Sequence, residues 1–391
     1  AAPPARRIYL DHAATTPVAP EVAEAMAPFL RASFGNPSSV HGRGGEARAA
    51  VEDARRKVAA VLGCTARRVV FTGSGSEADN LAVKGAAWAR RARGRHVVTT
   101  ALEHAAVLEA CRALAAHGFE LTVVRPEPDG RVSPERVRAA LRDDTILVSV
   151  MLVNNEVGTI QPVGEVARAA CARGVLVHTD AVQALGKLPL DAEALGVDLL
   201  SVSAHKVHGP KGVGALYVRA GVELEPLVHG GGQERGLRSG TENVAAIAGF
   251  GKACELVARA LAAGEPARLA RLRDRLEAGL RRIAPGARRN GTAERVATTL
   301  DLTLPGVRGE SLVLAASRRG VEFSAGSACH SGDPEPSRPL LAMGLTPEEA
   351  HCSVRLSLGA GQSEEDVDEA LARIAEVLRA SREAVRFVAC R

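Results

Sequence analysis

An α/β protein with a large, mostly parallel seven-stranded sheet domain and a smaller α+β domain is the fold predicted by this 391-residue sequence. Three observations predict it. Short apolar, β-type runs alternate with helical patterns through more than half of the chain. The apolar content of 46% is carried by Ala, Val and Leu with only 3% aromatics, which suits helices packed on a buried sheet. A second, smaller pattern of strands and helices follows a long helical stretch.

The elements follow in order. After Pro20, "EVAEAMAPFL" has apolar residues at helical spacing, and "GEARAAVEDARRKVAAVL" repeats the pattern at greater length. Seven β-type runs come next: "RVVFT" (68–72), "HVVTT" (96–100), "ELTVVR" (120–125), "TILVSVMLV" (145–153), "VLVHTD" (175–180), "DLLSVS" (198–203) and "VGALYV" (213–218). Most are separated by helical stretches, the signature of a parallel sheet covered on both faces. The last two are joined without a helix, so one strand is expected to be antiparallel. Residues from about 243 to 284 read as helical, interrupted near Gly264 and Pro266. Beyond them lie "VATTLDLTL", "ESLVLAASRRG" and "CSVRLSL", then a final helix opened by Ser363 and Asp366 at capping-box spacing. No internal repeat or low-complexity linker separates the two parts.

Composition excludes several classes. The net charge is +5, but the arginines are scattered, and no Lys/Arg block marks a sequence-specific nucleic-acid face. The seven cysteines (Cys64, Cys111, Cys171, Cys254, Cys329, Cys352 and Cys390) are odd in number and lack CxxC spacing. That argues against a disulfide framework or zinc site and for a reducing compartment. Cys64, Cys111, Cys171 and Cys254 lie in or beside helical patterns and are expected to be small core residues. No apolar run reaches the roughly 18 residues of a membrane helix, and "AAPPARRIYLD" lacks the apolar stretch of a signal peptide. The expectation is a soluble, cytoplasmic protein with no membrane partner.

Ligands of an open α/β sheet bind beyond the carboxyl ends of its strands. After "RVVFT" comes Gly73-Ser74-Gly75-Ser76, leading into a helix expected to begin near Glu77. Small residues there leave N–H groups free for a phosphate, although such a turn is common. Glu103 and His104 follow "HVVTT"; Asn154, Asn155 and Glu156 follow "TILVSVMLV". Asp180 and Gln183 close "VLVHTD" and its sequel, and Ser203, His205, Lys206 and His208 close "DLLSVS". Asp180 and His104 have plain alternatives as helix caps. A metal pair at His205 and His208 fails on chemistry, because Lys206 puts a cation between them and no paired carboxylate stands near in sequence. A partly desolvated lysine loses its proton readily and can form a Schiff base. Pyridoxal phosphate needs such a lysine, a carboxylate for its pyridine nitrogen and a phosphate cradle. Lys206, Asp180 and the Gly75/Ser76 turn supply all three at one sheet edge.

One loop stands apart. "FSAGSACHSG" (323–332) sets Cys329 among small, flexible residues with His330 beside it, either as an ordinary loop thiol or as a cargo the loop exists to carry.

"YLDHAATTP", "FGNPSS", "FTGSGSEADN", "EHAAV", "NNEVGTIQP", "HTDAVQ", "SVSAHKVHGPKGVG", "GGGQERGLRSGTEN" and "SAGSACHS" together resemble the pyridoxal-phosphate cysteine desulfurases of the nitrogen-fixation and iron–sulfur-cluster group. The match runs in order from about residue 8 to 360. It implies fold type I of the pyridoxal-phosphate enzymes and a homodimer with shared active sites. It also implies a large cofactor domain over 16–255, with a small domain formed from 1–15 and 256–391. Carried over by position, it gives Lys206 the covalent link to the cofactor and later proton transfer. Asp180 would pair with the pyridine nitrogen, Gln183 would bond the phenolic oxygen, and His104 would stack on the ring and assist proton transfer. Gly75, Ser76, Ser203 and His205 would hold the phosphate, with Thr241 reaching in from the other subunit. Asn155 and Arg355 would fix the substrate carboxylate, with Asn36 as a further candidate.

The implied reaction converts L-cysteine to L-alanine, with Cys329 taking the sulfur as a persulfide for an acceptor protein. A Gly/Ser loop lets the nucleophile reach the cofactor and then leave it, and His104 or a protonated His330 could lower its pKa. His330 also gives a Cys-His pair resembling the selenocysteine lyases. A third reading makes Cys329 incidental to another lyase or an aminotransferase of the same fold. The short stretch after the last helix carries Cys390, a bystander thiol or a second relay site, and implies no docking tail for a cluster scaffold.

Overall fold

The computed structural model describes residues 6–291, 294–325 and 335–389. Thirteen strands form three sheets. The large sheet contains β2 (Val69–Thr72), β3 (His96–Thr100), β4 (Glu120–Val124), β5 (Thr145–Ser149), β6 (Leu176–Asp180), β7 (Leu199–Ser203) and β8 (Gly214–Val218), in the order β2-β8-β7-β6-β5-β3-β4. All run parallel except β8, which is antiparallel to β2 and to β7. The chain reverses from β7 into β8 through a short 3-10 turn at Ala204–Lys206 rather than a helix, which is why that strand points the other way.

Every residue of β3, β5, β6, β7 and β8 is buried, so these runs read as continuous rather than alternating. Polar residues inside them are paired across the sheet. His96 lies between Thr145 Oγ1 (2.7 Å) and Thr122 Oγ1 (2.8 Å), and His178 between Ser149 Oγ (2.8 Å) and Ser201 Oγ (2.9 Å). One face of the sheet is covered by the helices Gly42–Val61 and Val244–Ala262, around Val51, Val58, Phe71 and Phe250. The other carries Leu81, Val107 and Leu114.

A second core gathers Ile8, Leu10, Leu272, Leu276, Leu300, Leu302, Val354, Leu356, Ile374 and Leu378. It backs a four-stranded sheet, β12 (Ser324–Ala325), β13 (Ser353–Ser357), β10 (Thr299–Thr303) and β9 (Arg288–Arg289). The short β1 (Ile8–Tyr9) pairs in parallel with β11 (Val321–Glu322), which ties the start of the chain to this part. The helical stretch is split as expected, into Val244–Ala262 and Glu265–Ile283, with Gly264 left-handed between them. At the last helix Asp366 N donates to Ser363 Oγ (3.2 Å) and Ser363 N to Asp366 Oδ2 (2.9 Å), the reciprocal cap read from sequence.

Two expectations need correction. "TILVSVMLV" forms a regular strand only to Ser149, although Val150 N and Leu152 N still donate to the His178 (3.1 Å) and Asp180 (2.9 Å) carbonyls of β6. Cys111 and Cys254 are core residues, but Cys64 is half-buried and Cys171 is exposed near the end of its helix.

Candidate active site

The parallel strands deliver their carboxyl ends to one edge, and a cavity of about 400 Å3 opens there. Gly75, Ser76, His104, Asn155, Asp180, Gln183, Ser203, His205, Lys206 and Arg355 all line it. Residues far apart in sequence meet because each follows a strand that ends at this edge or, for Arg355, faces it from β13.

The phosphate-type turn is built by hydrogen bonds within its own few residues. Ser74 caps the helix Gly75–Asn80, its Oγ accepting from Glu77 N at 3.0 Å. Glu77 Oε2 accepts in turn from Gly73 N at 2.9 Å and is braced by Arg238. The helix therefore begins at Gly75, two residues earlier than the sequence suggested, because the serine cap precedes the glycine. A Cβ on Gly75 would lie 3.0 Å from Val182 Cγ2 and 3.1 Å from Ser203 Cβ, so glycine lets the turn close against β7. Gly75 and Ser203 thereby share one wall, as a phosphate cradle requires.

Lys206 Nζ donates to the carbonyls of Ala13 (2.7 Å) and Ala14 (2.6 Å). Burial pushes its ammonium down to about 8, helped by the Arg355 charge and opposed by Asp180 and Asp11. Asp180, at the last position of β6, is buried and its Oδ1 accepts from Val182 N at 2.9 Å. Burial raises its carboxyl above the ordinary range, against the pull of His104, the Val182 N–H and Lys206. His104 is both a cap and a cavity residue. Its Nδ1 accepts from Ala106 N (3.1 Å) at the start of the helix Ala105–Ala115, which leaves Nε2 as the protonated nitrogen. Burial lowers its pKa. His205 Nδ1 lies 3.1 Å from Thr15 Oγ1, and burial with the neighbouring lysines lowers it to about 4.

Arg355 reaches over from the small sheet. Its Nη2 donates to Asp11 Oδ1 (2.9 Å) and Ser324 Oγ (3.2 Å), and Nη1 to the Asn155 carbonyl (3.0 Å). Its Nε is buried without a partner among the described residues. Two expected residues stand elsewhere. Thr241 lines a separate cavity with Gly73, Arg238 and Asn243. Asn36 is exposed, its side chain accepting from Ser38 N at 2.9 Å, and takes no part in the cavity of this chain. Cys329 and His330 lie outside the described residues, as does Cys390.

Sequence reasoning missed three groups. Asp79, one helical turn beyond Gly75, lines the cavity almost wholly buried, and burial and the Asp180 charge raise it well above its usual range. Its spacing from Gly75 could have found it. Asp11 and the carbonyls of Ala13 and Ala14 come from "YLDHAATTP", whose role is carried by backbone and so leaves no residue-type signal. Lys187 bonds Gln183 one turn earlier.

The residues fit pyridoxal phosphate. A buried Asp180 lacking a full cationic partner is electrostatically completed by a protonated ring nitrogen, and Lys206 is an amine with a depressed pKa beside it. The glycine-lined turn lies where a phosphate would sit.

Comparisons with known proteins accord with this geometry. The family described as aminotransferase class-V matches residues 8–370. A cysteine desulfurase IscS of Methanosarcina thermophila is 46% identical over 375 residues, covering 96% of this chain and 92% of that one. A cysteine desulfurase IscS of Anaeromyxobacter dehalogenans is 49% identical over 380 residues, covering 96% and 93%. Among solved structures, a NifS-like protein superposes with a TM-score of 0.89 at 42% identity, covering 95% of this chain and 99% of its own. One described as SspA in complex with cysteine gives 0.81 at 38% identity, covering 90% and 98%.

Proposed function

This chain belongs to the aminotransferase class-V family, and we infer from that membership and from its cavity that it is a pyridoxal-phosphate-dependent cysteine desulfurase. The reaction is L-cysteine plus the Cys329 thiol giving L-alanine plus a Cys329 persulfide. The substrate's Cβ–S bond breaks, an S–S bond forms, and a proton takes the sulfur's place on carbon. The observation that carries the reading is the convergence of Lys206, Asp180 and the Gly75 turn on one cavity.

Pyridoxal phosphate, when bound, supplies an electron-withdrawing ring that loosens bonds at the Cα of an attached amino acid. Lys206 would hold it through Nζ, Asp180 would face its ring nitrogen, and Gly75, Ser76, Ser203 and His205 would cradle its phosphate. Gln183 would donate to its phenolic oxygen. Lys206, once free, has the pKa to take and return a proton at neutral pH. His104, neutral and protonated on Nε2, can move a second proton at the cavity mouth. Arg355 and Asn155 would bind the substrate carboxylate, which would compete with Asp11 for the guanidinium. Cys329 would attack from a loop flanked by the structured Ala325 and Glu335.

Three further features belong to the same proposal. Residues 16–255 would form the cofactor domain, with 1–15 and 256–391 forming the small domain; the second core, drawn from Ile8, Leu10 and residues between Leu269 and Leu378, supports this, while Val296, Leu340 and Met343 pack with the first core. The enzyme would act as a homodimer. Thr241 and Asn36 stand outside this chain's cavity, and Leu30, Phe34 and Val40 around Asn36 are exposed apolar residues suited to burial by a second copy. Sulfur would pass to an acceptor protein in the reducing cytoplasm, in keeping with five unpaired cysteines among the described residues. No helix among the described residues is long and apolar enough to cross a membrane.

The test is alanine release from L-cysteine under reductant, with Cys329→Ser beside wild type. Wild type should form alanine and the variant less than about a hundredth as much, as expected when a covalent nucleophile is removed. Equal alanine from both would remove Cys329 from the reaction. Activity with selenocysteine alone would make the protein a selenocysteine lyase.

A further inference from the structure

Lys187 stands behind the cavity, bonded to its lining residue Gln183 and without a carboxylate partner among the described residues, which is a costly place for a lysine. It is half-buried, one helical turn after Gln183, and its Nζ donates to Gln183 Oε1. An ammonium has three donors and no acceptor, so the amide atom facing it must be the oxygen. The other end of the amide is then fixed as the NH2 group. One of its hydrogens goes to the Ala13 carbonyl (Nε2 to O, 2.9 Å), which also accepts from Lys206 Nζ (2.7 Å). Lys187, Gln183, the Ala13 carbonyl and Lys206 thus form one chain of directed hydrogen bonds. A flipped amide would set Gln183 oxygen against the Ala13 oxygen and amide NH2 against the ammonium, so both contacts would become repulsive. The second Nε2 hydrogen is left for the cavity.

We propose that Lys187 is a positioning residue: by holding Gln183 Oε1 it makes Gln183 present an N–H, and not an oxygen, to the phenolic oxygen of the bound cofactor. This rests on the reading that pyridoxal phosphate binds there with that oxygen towards Gln183. Lys187 also lines a second cavity of about 570 Å3 behind Lys206, beside His12, Leu185 and Leu256, and Lys206 lines both cavities. The charged and titratable groups around the lysine pair are Arg355, Asp180, Asp11 and His12. Burial, then Lys206 and Arg355, push Lys187 down to about 7. Where Lys206 titrates, Lys187 is therefore mostly uncharged and acts on the site as the donor to Gln183 Oε1.

The experiment uses the purified full-length protein as wild type, Lys187→Met, Lys187→Arg and Gln183→Glu. Three quantities are read: the pH midpoint of the visible absorbance of the Lys206-linked cofactor, the affinity of the apoprotein for pyridoxal phosphate, and the thermal midpoint. Lys187→Met loses the donor that fixes the Gln183 amide, so its absorbance midpoint should rise by about one pH unit and its cofactor affinity should fall roughly tenfold. Lys187→Arg keeps a donor and should not raise the midpoint by more than about 0.3 unit. Gln183→Glu has no N–H to offer and adds a negative charge, so it should rise at least as far as Lys187→Met, which keeps the test open if that variant does not fold. A Lys187→Met protein that melts and titrates as wild type would overturn the proposal. So would Lys187→Arg shifting as far as Lys187→Met, because a loss of packing alone would then account for both. Failure of the wild-type apoprotein to take up pyridoxal phosphate would instead overturn the function proposed above, and this inference with it.

Discussion

Lys206 is hydrogen-bonded to two backbone carbonyls rather than ion-paired to a carboxylate, and that choice sets its chemistry. Carbonyls orient the amine without stabilising its charge as a carboxylate would, so burial wins and the pKa falls to about 8 from 10.5. The sign follows. Protonated Lys206 is disfavoured in the folded state, so its cost to stability is full below pH 8 and is relieved as pH rises from 8 towards 10.5. At pH 7 about a tenth of the amine is neutral, against less than a thousandth for an ordinary lysine. The rate of pyridoxal phosphate uptake by the apoprotein should therefore rise through a midpoint near pH 8, as followed by stopped-flow absorbance. A midpoint above pH 10 would mean that the lysine is not desolvated. Asp79 and His178 show the opposite outcome. They lie 3.6 Å apart in the buried layer, yet burial drives His178 down to about 3 and raises Asp79. With His178 uncharged at neutral pH, the two do not form an ion pair beneath the cavity.

The strands were legible as elements because a parallel strand buried on both faces reads as a short run rich in β-branched residues without alternation, and β3 (His96–Thr100) matches its expected run residue for residue. Helix starts were less legible. The serine cap that begins the helix at Gly75 depends on side-chain geometry that composition does not reveal. The glycine-rich segment after β8 shows what an element owes to distant partners. Glu234 accepts from Arg55 Nη1 (2.6 Å) and Nη2 (2.8 Å) and from Phe71 N (2.9 Å), so one buried carboxylate pins the segment to a helix and to β2. Arg238 continues the tie to Glu77 in the phosphate-type turn (2.8 Å). Glu234→Ala removes the buried carboxylate from the Arg55 guanidinium, leaving it the half-exposed Glu52 and the Val69 carbonyl, and should cost about 3 kcal/mol in urea unfolding. The same variant should weaken cofactor retention, because its segment braces the turn. A loss below about 0.5 kcal/mol would mean that water replaces the carboxylate.

At the scale of the molecule, the cavity lies where the large sheet's strand ends meet a guanidinium from the small sheet. Arg355 faces Asp301 and Ser324 in its own sheet and bonds Asp11 beside it, but it also donates to the Asn155 carbonyl across the gap. A cavity assembled from both parts depends on how they dock, so substrate binding and domain packing are coupled. The exposed apolar group of Leu30, Phe34 and Val40 places a further prediction here. Light scattering should give twice the chain mass for wild type, and Phe34→Asp should shift it towards the single chain and lower activity, as a charge buried in an apolar interface must. A Phe34→Asp protein of unchanged mass and activity would place any interface elsewhere. By itself the sequence determined the strand runs, their order along the chain and the residue types at their carboxyl ends, because local periodicity and the burial of a parallel sheet are written residue by residue. Only the tertiary structure decided which of those ends became neighbours. It decided that Ala13 and Ala14 carbonyls hold the reactive lysine and that Asp79 and Lys187 join the site. It also set Thr241 and Asn36 outside this chain's cavity. The physical reason is that a backbone carbonyl has no residue-type signature, and that desolvation, which sets each pKa here, exists only once distant segments pack together.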